Sequence, residues 1–154
     1  MGFELEDCKL EVIERGFPEL KNLEIYIGYK NMPDAYFGYI RKSRKKYIID
    51  VDTSLKRVKR NIFLGGISHE IAHISIEHSM NVFCNFFDNI LYNILYKNIK
   101  SYETWDERRT DLLVVERGLG QELLEFLKYA DKRREEYTTE DGLTVKELEA
   151  LIKQ

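Results

Sequence analysis

The stretch Ser68-His69-Glu70-Ile71-Ala72-His73 sets two imidazoles four residues apart, with a carboxylate directly after the first. On a helix turning about 100° per residue, His69 and His73 lie only about 40° apart around the axis and roughly 6 Å apart along it. Both rings can turn toward one cation, and Glu70 falls on the flank of the same face, where it can reach a water held beside that cation. The chemistry this allows is hydrolysis, with two metal ligands, a general base and an open coordination position. Zinc suits such donors. Two packing histidines would give the same spacing, but the surroundings argue against that. Phe63, Leu64, Ile67, Ile71 and Ile74 project onto one apolar arc, and His69 and His73 project opposite, beside Gly65, Gly66 and Ala72. Small residues there leave room for an ion and for close approach of another backbone.

A catalytic zinc needs a third protein ligand. The stretch after residue 101 offers Glu103, Asp106, Glu107 and Asp111. Glu103, Glu107 and Asp111 share one helical face, drifting by about 40° per step, while Asp106 points away from that row. Glu107 is central and longer than Asp111, so it is the expected ligand. Asp111, one turn on, is expected to accept the free ring N–H of His69 and fix its orientation. A register one turn earlier would move the two roles to Glu103 and Glu107. The plain alternative is a solvated acidic stripe paired with Arg108 and Lys100. His78 projects onto the apolar arc of a continuing helix and reads as a structural histidine. Tyr102, Tyr137 and His78 are of the types that steady an oxyanion, and nothing in the sequence chooses among them.

The surrounding elements follow from periodicity. Residues 3–15 repeat apolar side chains at helical spacing, and Gly16 and Pro18 stop them. Residues 23–29, 35–40 and 47–51 read as short strands, and short connections make a mostly antiparallel sheet the economical arrangement. Asn61 is a plausible cap for the helix carrying the histidines. A Phe-rich helix is expected over residues 81–99. Its stripe reads as core, with a homo-oligomer interface as the alternative. Further helices are expected over 102–117, ended by Gly118 and Gly120, over 121–129 and over 143–152, with a charged loop at 131–141.

Composition bounds the rest. The chain has 154 residues, 44% hydrophobic and 33% charged, with a net charge of −3. That fits one globular domain spanning 1–154. Cys8 and Cys84 are too few for a disulfide framework or a cysteine metal knuckle, so a reducing, cytoplasmic setting is the default. Residues 82–96 form the longest apolar stretch, but Asn85, Asp88, Asn89 and Asn93 make it too polar for a membrane span. Arg41-Lys42-Ser43-Arg44-Lys45-Lys46 and Lys56-Arg57-Val58-Lys59-Arg60 are basic clusters. In an acidic chain without a groove-reading motif they read as solvated loops rather than as a nucleic-acid surface.

His69-Glu70-Ile71-Ala72-His73, followed by Glu107-Arg108-Arg109-Thr110-Asp111, resembles the gluzincin metallopeptidases. The small size and helix–sheet–helix order look most like the minigluzincins, compact soluble archaeal metallopeptidases. Ala35-Tyr36-Phe37-Gly38-Tyr39 resembles the rim strand of the gluzincin sheet. The resemblance spans about residues 20–117. The chain departs from a minimal gluzincin in its Phe-rich 81–99 segment and its charged C-terminal tail. The resemblance implies an α+β, zincin-like fold. In it, a small, mostly antiparallel three-stranded sheet packs on an active-site helix and a glutamate helix, with extra helices around them. It also implies Zn2+ held by His69, His73 and Glu107, with Glu70 as base and Asp111 behind. The expected activity is a zinc endopeptidase acting on peptides or proteins. Members of the compact group look latent, so a zymogen needing processing is part of the expectation. Two other readings stand beside it. A non-catalytic zinc-stabilised interaction module would have no need of Glu70, and a protease-type regulator bound to nucleic acid would use the basic clusters. Residues 131–154 are expected to act as a regulatory tail near the cleft, so that truncation at Asp131 raises cleavage.

Overall fold

The computed structural model describes residues 3–32, 37–43, 46–83, 100–133 and 142–153, without the side chains of 80–83 and 100–104. Helix α1 (Leu5–Gly16) precedes three strands, β1 (Glu24–Lys30), β2 (Gly38–Ser43) and β3 (Lys46–Asp52). Among the described residues four α-helices follow: α2 (Arg60–Phe83), α3 (Lys100–Glu116), α4 (Gly120–Lys132) and α5 (Val145–Ile152). The fold is α+β, as expected.

The strand order is β1-β3-β2. β2 pairs with β3 antiparallel and β1 pairs with β3 parallel, so the sheet is mixed. Side-chain character explains why the last strand enters the middle. Tyr47, Ile49, Asp50, Val51 and Asp52 of β3 are all buried, a near-continuous run suited to a strand covered on both faces. β2 instead exposes Tyr39, Arg41, Lys42 and Ser43, and charged side chains suit an edge. Arg41 crosses to Asp50 with bonds of 2.6 and 2.9 Å, which holds the Asp50 carboxyl below its usual range.

α2 is organised around the arc read from its sequence. Phe63, Leu64, Ile67, Ile71 and Ile74 are all at most 1% exposed. The helix starts earlier than Asn61. The Phe63 amide already bonds to the Lys59 carbonyl at 3.2 Å, so Lys59 occupies the cap position. Gly65 and Gly66 face α4. A Cβ on Gly65 would collide with the Glu122 carbonyl, and one on Gly66 would press on the Phe126 ring. A mid-helix glycine costs roughly 1 kcal/mol against alanine, and this close crossing is what the cost secures. These glycines therefore make room for a helix, not for an ion.

Gly118, at φ 78°, ends α3. Leu119 N–H bonds to Val114 O and Gly118 N–H to Val115 O, a Schellman closure. α5 starts with a capping box between Thr144 and Glu147. Its Leu148 is fully buried, and Leu143 just before it is 6% exposed. Buried residues of α1, the sheet and α2 to α5 form one hydrophobic cluster. The expected 81–99 helix is described only to Phe83, where it continues α2. Its remainder, the 134–141 loop, and Ala35 and Tyr36 lie outside the described residues.

Candidate metal centre

α2 and α3 pack against each other and bring residues 33 to 42 positions apart in sequence into contact. His69 Nε2 lies 2.9 Å from Glu107 Oε2 and 3.1 Å from His73 Nε2. His73 Nε2 lies 3.4 Å from Glu107 Oε1. Zinc bonds of about 2.0–2.1 Å in a tetrahedral site put neighbouring ligand atoms about 3.3 Å apart. These separations match that spacing, with each ring facing a different oxygen of the Glu107 carboxylate, so the three side chains form a donor triangle of the size such a site needs.

Both rings are also held from behind. His69 Nδ1–H donates to Asp111 Oδ1 at 2.9 Å, and Asp111 is 1% exposed. His73 Nδ1 faces the Thr110 hydroxyl oxygen at 3.2 Å and Asp106 Oδ2 at 3.7 Å. The Thr110 hydroxyl donates to the Asp106 carbonyl at 2.9 Å, so its oxygen is free to accept from His73. With a proton on each Nδ1, both Nε2 lone pairs point into the triangle. Two imidazoles whose Nδ1 atoms are engaged from behind, together with a carboxylate, fit a divalent zinc-like ion.

The electrostatics agree with that geometry. Burial works against a charge on His69, but the hydrogen bonds and charges of Asp111 and Glu107 outweigh it and raise its pKa well above the ordinary imidazole value. Burial likewise opposes ionisation of Glu107, and the hydrogen bonds and charges of His69 and His73 overcome it, holding the carboxyl far below its usual range. Such convergence of negative charge on imidazoles is what a cation would relieve. Glu70 differs. Burial pushes its carboxyl upward, against the pull of His69 and His73, and Glu107 adds to the rise.

Of the residues singled out from sequence, His69, His73, Glu107 and Asp111 come together, and Glu70 flanks them beside Gly38. A Cβ on Gly38 would overlap the Glu70 carboxyl, so the start of β2 runs directly against this side chain. Glu103 has no described side chain, and the same holds for Tyr102. Tyr137 lies outside the described residues. His78 is half-buried on α2. Asp106 lies off the 107/111 row and faces His73, a contact that the sequence reading did not assign to it. Two adjacent rows of four-residue spacing run along α3: 107/111 serves His69, and 106/110 backs His73. Considering only the first row hides Thr110 as well. Lys56, Arg57 and Lys59 of the second basic cluster, together with Arg133, line a surface groove of about 830 Å³ that shares no residue with the histidine cluster.

Two imidazoles and a carboxylate brought together by a helix pair beside a small sheet define a metallopeptidase type of centre. The chain belongs to Peptidase family M48, whose model matches residues 4–146 of the 154. No curated protein and no solved structure matches it.

Proposed function

We propose that this peptidase is a zinc endopeptidase of the minigluzincin kind. The observation that carries the reading is the convergence of His69 Nε2, His73 Nε2 and Glu107 within 2.9–3.4 Å, with Nδ1 of each ring engaged from behind. His69, His73 and Glu107 would hold the ion. Asp111 orients His69, and Thr110 with Asp106 orients His73. The bound ion would supply Lewis-acid chemistry, polarising the scissile carbonyl and acidifying a water.

Glu70 then takes a proton from the attacking water onto its carboxylate and holds it for the departing amine nitrogen. Its raised pKa suits the second half of that task. Among the described residues β2 pairs only with β3, so its outer edge is open to an extended peptide. A peptide added there would pass Gly38 and therefore Glu70. Tyr39, 58% exposed, is the side chain next in line along that edge.

A cytoplasmic location belongs to this reading and draws on Cys8, a buried free thiol. Latency belongs to it through the resemblance to the compact gluzincins. The test is cleavage of a peptide library by purified protein, before and after limited proteolysis. Cleavage should disappear with a chelator, return with zinc, and be absent from Glu70→Gln. Zinc binding without cleavage in every preparation would favour a zinc-stabilised interaction module instead.

A further inference from the structure

We propose that the C-terminal helix α5 is a positioning element of the metal centre and acts through Asp111. The inference rests on the metallopeptidase reading above. Both oxygens of the Asp111 carboxylate are engaged from within the chain: Oδ1 by His69 Nδ1–H at 2.9 Å, and Oδ2 by the backbone N–H of Leu143 at 2.7 Å. Gly142 presses on the same Oδ2, and a Cβ there would overlap it. A carboxylate held at one oxygen can turn about its broad terminal torsion, and one held at both cannot. Leu143 therefore sets the plane in which Asp111 meets His69.

The Leu143 amide is itself held in place. Leu143 and Leu148 are buried at 6% and 0% exposure, which anchors the segment in the core. The Thr144–Glu147 capping box fixes the first turn of α5. Arg108, next to Glu107 on α3, bonds to Glu147 Oε1 at 2.8 Å and Oε2 at 3.2 Å. α5 thus grips α3 at Arg108, and the residues leading into it grip α3 at Asp111, on either side of Thr110. Sequence alone pointed to a tail that limits access. The contacts make its last helix a support, so releasing residues 142–153 lowers metal affinity. Gly142 and Leu143 act on Asp111 directly, and Glu147 acts on it by way of Arg108, whose guanidinium also donates to the Gly142 carbonyl at 3.4 Å.

The test is a double-mutant cycle on zinc affinity, read by chelator competition, with the visible spectrum of the cobalt-substituted protein and the metal-free Tm alongside. Gly142→Ala should lower zinc affinity by about tenfold and alter the cobalt spectrum, as loss of an orienting carboxylate does. In an Asp111→Ala background the same substitution should cost nothing further in affinity. Glu147→Gln keeps the capping box and weakens only the ion pair to Arg108. It should lower affinity by about two- to fivefold, again only when Asp111 is present. It also serves as the variant to read if Gly142→Ala does not fold. Equal losses with and without Asp111, or a lower metal-free Tm with unchanged zinc affinity and cobalt spectrum, would make α5 merely structural and overturn the proposal alone. A wild-type protein that binds no zinc would overturn the metal reading, and the proposal with it.

Discussion

Glu70 is held where burial disfavours its charge, and that has a consequence independent of catalysis. Its folded pKa lies above the ordinary value of 4.5, burial being the main cause. A raised folded pKa contributes stability that is fully present below the unfolded pKa and is lost as pH rises through the folded one. The ionised side chain therefore weakens the metal-free protein at neutral pH. Glu70→Gln should raise the metal-free Tm at pH 7 and leave it nearly unchanged below pH 4.5, while zinc stays bound and cleavage is lost. A lower Tm at pH 7 would show that Glu70 is instead a stabilising partner of the histidines. The pattern of His69, Glu70 and His73 was legible because it lies within two helical turns, where spacing alone determines direction. Gly38 against Glu70 was not legible, because that contact joins residues 32 positions apart through the sheet.

At the scale of elements, two glycines mark where one element runs against another. Gly38→Ala would drive a methyl group into the Glu70 carboxyl and displace the base without touching the donor triangle. The expected result is a fall in kcat approaching 100-fold with zinc content unchanged, the scale of an ångström-sized misplacement. An unaltered kcat would place Glu70 outside the reacting geometry. Gly65→Ala meets a backbone carbonyl of α4 rather than a side chain that can step aside. It should cost roughly 3 kcal/mol in urea unfolding, the upper end of overpacking effects. A change under about 0.5 kcal/mol, the size of a neutral surface substitution, would deny the crossing. Helix periodicity predicted the apolar arc of α2 and the Glu107/Asp111 row of α3. It did not predict that β3 enters between β1 and β2, because that order depends on which strand can be buried on both faces. Nor did it separate the two reasons for small residues beside the histidines, since only the position of α4 decides between them.

Across the whole molecule, the candidate metal centre joins α2 and α3, and the proposed brace ties α3 to residues far along the chain at Gly142, Leu143 and Glu147. The two parts respond to acid in different ranges. Glu147 is pulled down to about 2, chiefly by Arg108 and then by the Thr144 backbone and hydroxyl. A lowered pKa contributes stability that is intact above the unfolded value near 4.5 and is lost as pH falls through about 2. His69, in contrast, holds a proton well above the ordinary imidazole range when no metal is present, so protons already compete for its ring above neutral pH and compete more strongly as pH falls. Zinc affinity should therefore fall steadily between pH 8 and pH 5, while the helical circular dichroism stays constant over that range. Parallel loss of helix and metal would mean that acid unfolds the brace first.

The central claim is that His69, His73 and Glu107 together hold one zinc ion, and zinc stoichiometry in purified variants tests it most directly. Wild-type protein and Glu70→Gln should carry one zinc per chain. Glu107→Ala should lose the metal while remaining folded, and Asp111→Ala should keep it with affinity reduced on the order of 10–100-fold. If Glu107→Ala retains zinc as tightly as wild type while Glu103→Ala loses it, the ligand lies one turn earlier on α3 and the account is contradicted.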